Sequence, residues 1–126
     1  MLAPEEENEA EVRREDQENI NKFARLNAKL HEVRAERDSL KNELERIDDA
    51  STEIMMADAG KVLLFMGGAF FETSEEEATT YCEDTVEKHQ EKIQTLEIQE
   101  SEILEKQDAL KKILYGRFGK SIQLEE

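Results

Sequence analysis

Residues 60–74 read GKVLLFMGGAFFETS, and they form the one stretch that does not follow a helical pattern. Two apolar runs, residues 62–66 and 69–71, are split by Gly67 and Gly68, the signature of a strand, a two-residue turn and a second strand. Val62, Leu63, Leu64, Phe65 and Met66 are apolar without alternation, so both faces of the first strand need covering. A two-stranded hairpin is marginal in water and cannot cover itself. Strands from other chains are therefore expected to complete the sheet around Val62, Leu63, Leu64, Phe65, Met66, Ala69, Phe70 and Phe71.

Outward from the hairpin, both flanks carry heptad repeats. Before it, Phe23, Leu30, Arg37, Leu44 and Ser51 hold one seam position, and Leu26, Val33, Leu40, Ile47 and Ile54 hold the other. After it, the seams are Cys82, His89, Leu96, Ile103, Leu110 and Val86, Ile93, Glu100, Gln107, Leu114. This alternating spacing lets each helix bury a continuous stripe against a partner. Ser74 followed by Glu77 is a capping box that starts the second helix. Gly60 is placed to end the first.

Folding the two helices back antiparallel sets Phe23 against Leu114, Leu26 against Leu110 and Val33 against Ile103. In that register Arg37 meets Glu100, so the two charges that interrupt the seams meet each other and fix the alignment. A register one heptad shorter would bury each of them against an apolar residue, a costly outcome. The expected fold is mostly α: a long antiparallel two-helix coiled coil joined by one β-hairpin that pairs with other subunits. Its expected divisions are an acidic disordered tail at 1–14, a helix at 15–58, the hairpin at 61–73, a helix at 74–115 and a C-terminal tip at 116–126. Gly116 and Gly119 are read as breaking the second helix.

Composition agrees with a thin fold. Of 126 residues, 39% are charged, only 6% are aromatic and none is Trp, so a thick globular core is not expected. The formal net charge is −15, and it is concentrated. Residues 1–18 hold eight acidic side chains against two basic, and residues 72–87 hold seven against none. Such a field repels phosphate backbones, and no basic block offers a nucleic-acid site. The single cysteine, Cys82, excludes an intrachain disulfide and suits a packed seam position. No apolar run is long enough to span a bilayer, and the N-terminus has no basic-then-apolar signal pattern. The chain is expected to be soluble and cytosolic, with no membrane partner.

Motifs for chemistry are missing. There is no phosphate-cradling glycine loop, no metal-ligand spacing around His89 or His31, and no acid, base and nucleophile that a helical hairpin could gather into a pocket. No catalytic, cofactor or metal site is expected. What remains is the end of the coiled coil farthest from the hairpin. There Ile20 and Phe23 approach Ile113, Tyr115 and Phe118, with Ile122 and Leu124 following, and several of these side chains lie off the seam and are available to a partner.

Three segments give the chain a resemblance: EDQENINKFARLNAKL at 15–30, IMMAD at 54–58 with the hairpin and FFETSEEEATTYCE that follow it, and LYGRFGKSIQLEE at the C-terminus. The sequence resembles beta-class prefoldin subunits of the subunit 4 type over nearly all of its length after the acidic tail. Arg13 and Arg14 stand where relatives often place a Ser or Thr. The resemblance implies an ATP-independent chaperone of two alpha-class and four beta-class subunits, with the hairpin in a shared β-barrel platform. It implies further that the apolar tips named above capture unfolded chains such as nascent actin and tubulin and pass them to the cytosolic group II chaperonin. The alternative is a structural coiled-coil scaffold or tethering subunit without client binding.

Overall fold

The computed structural model describes residues 12–56, 61–66 and 69–124, with side chains outside 53–73. Helix α1 spans Arg14–Met56, strands β1 and β2 span Lys61–Met66 and Ala69–Ser74, and helix α2 spans Glu75–Phe118 before a 3-10 turn at Gly119–Ser121. Residues 1–11 of the tail expected at 1–14, the helix stop at Gly60 and the turn at Gly67 and Gly68 lie outside the described residues, as do the side chains of residues 53–73; Arg14, expected in the tail, is the first residue of α1. β1 and β2 pair antiparallel, with Val62 opposite Thr73, Leu64 opposite Phe71 and Met66 opposite Ala69.

Helix starts are set by local chemistry. At α2 the Glu77 amide donates to Ser74 Oγ at 3.1 Å, which satisfies one of the amides that a helix N-terminus leaves without a partner. At α1 no hydroxyl stands at the cap, and Asp16 does the work from inside the helix. Its carboxylate accepts the Arg13 amide at 3.0 Å, the half of a capping box that an acidic residue in the first turn supplies. The first helical bond, from the Gln17 amide to the Arg13 carbonyl, is 3.0 Å long.

The chain divides into two compact units. One holds the N-terminal part of α1, through Ala35, with the chain from Glu97 onward. Here Phe23, Leu30, Val33, Ile103, Gln107, Leu110 and Leu114 are buried, all of them seam residues. Phe23 shares its apolar cluster with both Leu110 and Leu114, which stand one turn apart on α2. Side-chain bonds flank this seam: Arg34 Nε donates to Glu100 at 2.6 Å and Gln107 Nε2 to Asn27 at 3.4 Å. The two heptad stripes therefore meet in this unit, with Arg34 and Asn27 as polar partners of the seam residues Glu100 and Gln107. Arg34 was not foreseen as a partner of Glu100. It lies one turn before Arg37, whose Nε is 3.2 Å from Asp38.

The second unit runs from Glu36 to Leu96. Ala78 and Cys82 are buried with Ile47 packed against them, and Ile93 and Leu96 are buried as well. Cys82 is unpaired with any other cysteine. His89 Nε2 donates to Glu43 at 2.6 Å, and Lys92 lies 3.7 Å from Glu36. In both units, every heptad seam position with a described side chain is buried or half-buried.

α2 runs through Gly116 to Phe118. Among the described residues only Gly119 has a left-handed backbone, with φ 55°, and it is there that the chain leaves the helix.

Candidate functional site

The candidate site is the end of the first unit, where α1 begins and α2 finishes. Its base is a buried cluster of Phe23, Leu110, Leu114, Phe118 and Leu124, with Ile20, Leu26 and Ile122 partly buried against it. Phe23, Leu110 and Leu114 arrive on the heptad stripe. Phe118 ends α2. Leu124 returns to the cluster after the 3-10 turn, and its amide donates to the Tyr115 hydroxyl at 3.1 Å.

An ion pair ties the two helices beside this cluster. Arg117 Nη2 reaches Asp16 Oδ2 at 2.7 Å, and Arg117 Nε reaches the two carboxylate oxygens at 3.1 and 3.2 Å. A fork of this kind is the strong form of a charge-assisted bond. The Arg117 hydrogen bond, followed by that from the Arg13 amide, lowers the Asp16 carboxyl from its ordinary 3.8 to about 2. These donors outweigh the desolvation that pushes the other way. The Arg117 guanidinium also lies over the Phe118 ring at 5.3 Å, and Lys111 stands over Phe23 at 6.0 Å, within reach of a cation–π attraction.

The seven tip residues expected from sequence separate into layers. Phe23, Phe118 and Leu124 are buried in the chain itself, Ile20 and Ile122 are half-buried, and Ile113 and Tyr115 are 50% and 41% exposed. Val12, just before α1, is 57% exposed and is an apolar neighbour in sequence that periodicity gave no reason to select. Asp16 and Arg117 were also missed. Antiparallel folding brings the start of one helix beside the end of the other, so an acid at the first and a base at the second were the available signal. An open groove beside the cluster is lined by Tyr115, Gly119, Lys120, Ile122 and Gln123. Among the described residues no cluster of His, Cys, Asp and Glu could hold a metal, and no helix is long and apolar enough to cross a membrane.

Residues 17–121 match the family model described as prefoldin subunit. The chain belongs to the prefoldin subunit family. A probable prefoldin subunit 4 of Dictyostelium discoideum is 38% identical over 94% of this chain and 90% of its own length. The prefoldin subunit 4 of Saccharomyces cerevisiae is 33% identical over 99% of this chain and 98% of its own. The human prefoldin subunit 4 is 35% identical over 88% and 84%. In fold, the chain is similar to the crystal structure of the prefoldin beta subunit from Thermococcus strain KS-1, with a TM-score of 0.74 over 87% of this chain and 97% of that one at 18% identity. As a prefoldin subunit it is a non-enzymatic, chaperone-associated chain that assembles with other prefoldin subunits.

Proposed function

We propose that this prefoldin subunit is a beta-class member of a cytoplasmic hetero-hexamer that works without ATP, built from two alpha-class and three further beta-class subunits. It captures unfolded or nascent polypeptides, actin and tubulin among them, at the end of its coiled coil and passes them to the cytosolic group II chaperonin. The observation that carries the capture step is the exposure of Ile113 and Tyr115 on the turns of α2 that also form the buried cluster. An apolar surface held over a fixed base has something to offer an unfolded chain and nothing to offer a folded one.

Capture of this kind needs no nucleotide. A buried apolar side chain contributes about 1.5 to 3 kcal/mol, so one tip holds weakly and releases quickly. Several tips on one assembly act through effective concentration and hold together what each alone lets go. In the same proposal Val62, Leu63, Leu64, Phe65, Met66, Ala69, Phe70 and Phe71 join a β-barrel platform with the hairpins of neighbouring subunits, and Arg37 contributes with Glu100 to helix register.

The test is Ile113→Asp in the hexamer assembled with its partner subunits. The side chain is half-exposed, so the fold and the mass of the assembly stay as they are, while suppression of aggregation of diluted, denatured actin falls several-fold, on the order of what one lost apolar contact provides. Undiminished suppression by an intact hexamer overturns capture at this end of the coiled coil.

A further inference from the structure

The C-terminal segment turns back onto the surface from which it came. After Gly119, whose φ of 55° reverses the chain, a single 3-10 turn leads to Ile122, which is extended at φ −127°, ψ 142°. Ile122 packs on the cluster half-buried, and Leu124 is buried in it against Phe23, Leu110, Leu114 and Phe118. The contact includes a specific polar tie, the Leu124 amide donating to the Tyr115 hydroxyl at 3.1 Å.

This is how a stretch of unfolded polypeptide would bind the same place. Ile122, Gln123 and Leu124 put two large aliphatic side chains two residues apart, with extended backbone at Ile122. A main-chain amide is met by a side-chain acceptor, which asks nothing of sequence. We propose that residues 122–124 are an intramolecular occupant of the client site, a strap that covers the Phe23, Leu110, Leu114 and Phe118 surface and is displaced by an apolar segment of an unfolded chain. The inference rests on the reading that clients are captured at this end of the coiled coil. It also changes the role of Leu124 and Ile122 from client-binding residues to the groups that clients replace.

The arrangement has a consequence for the sign of a mutation. When the competent state is only a fraction of the population, apparent affinity is reduced by that fraction. Loosening the strap therefore strengthens client binding, whereas loss of a true contact residue weakens it. Two variants loosen it by different means: Leu124→Ser removes the apolar plug, and Tyr115→Phe removes the acceptor while keeping the ring.

The experiment uses the assembled hexamer and a permanently unfolded probe, reduced and carboxymethylated α-lactalbumin, with Ile113→Asp alongside. Hydrogen exchange at the Leu124 amide reads the strap directly, without any client. The expected result is a protected Leu124 amide in the wild type, faster exchange in Tyr115→Phe, and probe affinity raised about tenfold in Leu124→Ser and Tyr115→Phe. An unprotected Leu124 amide in the wild type overturns the strap. Weaker probe binding by Ile113→Asp with no tightening by the two strap variants also overturns it, and leaves capture at this end standing. Unchanged affinity in all three variants overturns both. Tightening by the strap variants with no effect of Ile113→Asp supports the strap and removes Ile113 from the surface it covers.

Discussion

Asp16 shows how much one side chain can do where two helix ends meet. It accepts the amide that α1 leaves without a helical partner, and it accepts a fork from Arg117 at the far end of the sequence. Because these bonds are stronger to the carboxylate than to the protonated acid, they hold it at about 2 instead of 3.8. The sign of the linkage follows. With the folded value below the unfolded one, the group contributes stability that is complete well above the unfolded value of 3.8, is lost progressively as the pH falls through 3.8 and then about 2, and is gone below both values, where both states are protonated. The dominant cause is the Arg117 side chain, so Arg117→Gln is expected to move the Asp16 carboxyl titration up toward 3.8, as followed by its carbon chemical shift in the assembled protein. A midpoint that stays near 2 would mean that the Arg13 amide alone sets it.

At the scale of elements, two glycines stand at the end of α2, one inside it and one just past it, which sequence alone treats alike and the backbone separates. Gly116 is inside the helix, and a Cβ built on it meets nothing within 4 Å. Gly119 has φ 55°, a conformation that costs an L side chain about 1 kcal/mol or more. Gly116→Ala is therefore expected to stabilise the helix end by about 0.5 to 1 kcal/mol. Gly119→Ala is expected to destabilise it by a similar amount or more. Denaturant melts followed by far-UV circular dichroism distinguish the two, and a loss of stability in Gly116→Ala would contradict the continuous helix. The heptad stripes were legible because a period of three and four residues can be counted, and Phe23, Leu30, Val33, Ile103, Leu110 and Leu114 are buried where it puts them. What a period does not carry is which off-seam groups reach the polar residues of the seam. Arg34 with Glu100 and Glu43 with His89 depend on how the two helices meet, and the return of Leu124 depends on a backbone angle at Gly119 that its residue type permits but does not dictate.

At the scale of the whole molecule, the hairpin and the coiled coil ask for different partners, and that difference can be measured. The helices have each other: within both units seam residues are buried in the single chain. Among the described residues the strands pair only with one another, Lys61 with Ser74 through Met66 with Ala69, and an isolated pair of strands leaves its outer edges open to pairing with another chain. An apolar run at residues 62–66 beside an open edge is a template for association, and the proposal is that this run serves assembly with other prefoldin subunits. Val62→Asp with Leu64→Asp introduces two charges into that run while leaving every heptad position intact. Light scattering of the chain mixed with its partner subunits is then expected to give a hexamer mass for the wild type and its loss in the double variant, with helix content unchanged by circular dichroism. If the double variant still enters a hexamer, or if the chain alone forms a stable dimer that ignores these substitutions, association runs through the helical seams. In that case the hairpin joins two helices and nothing more, because strands carrying charge at both positions could not be packed into a shared apolar barrel.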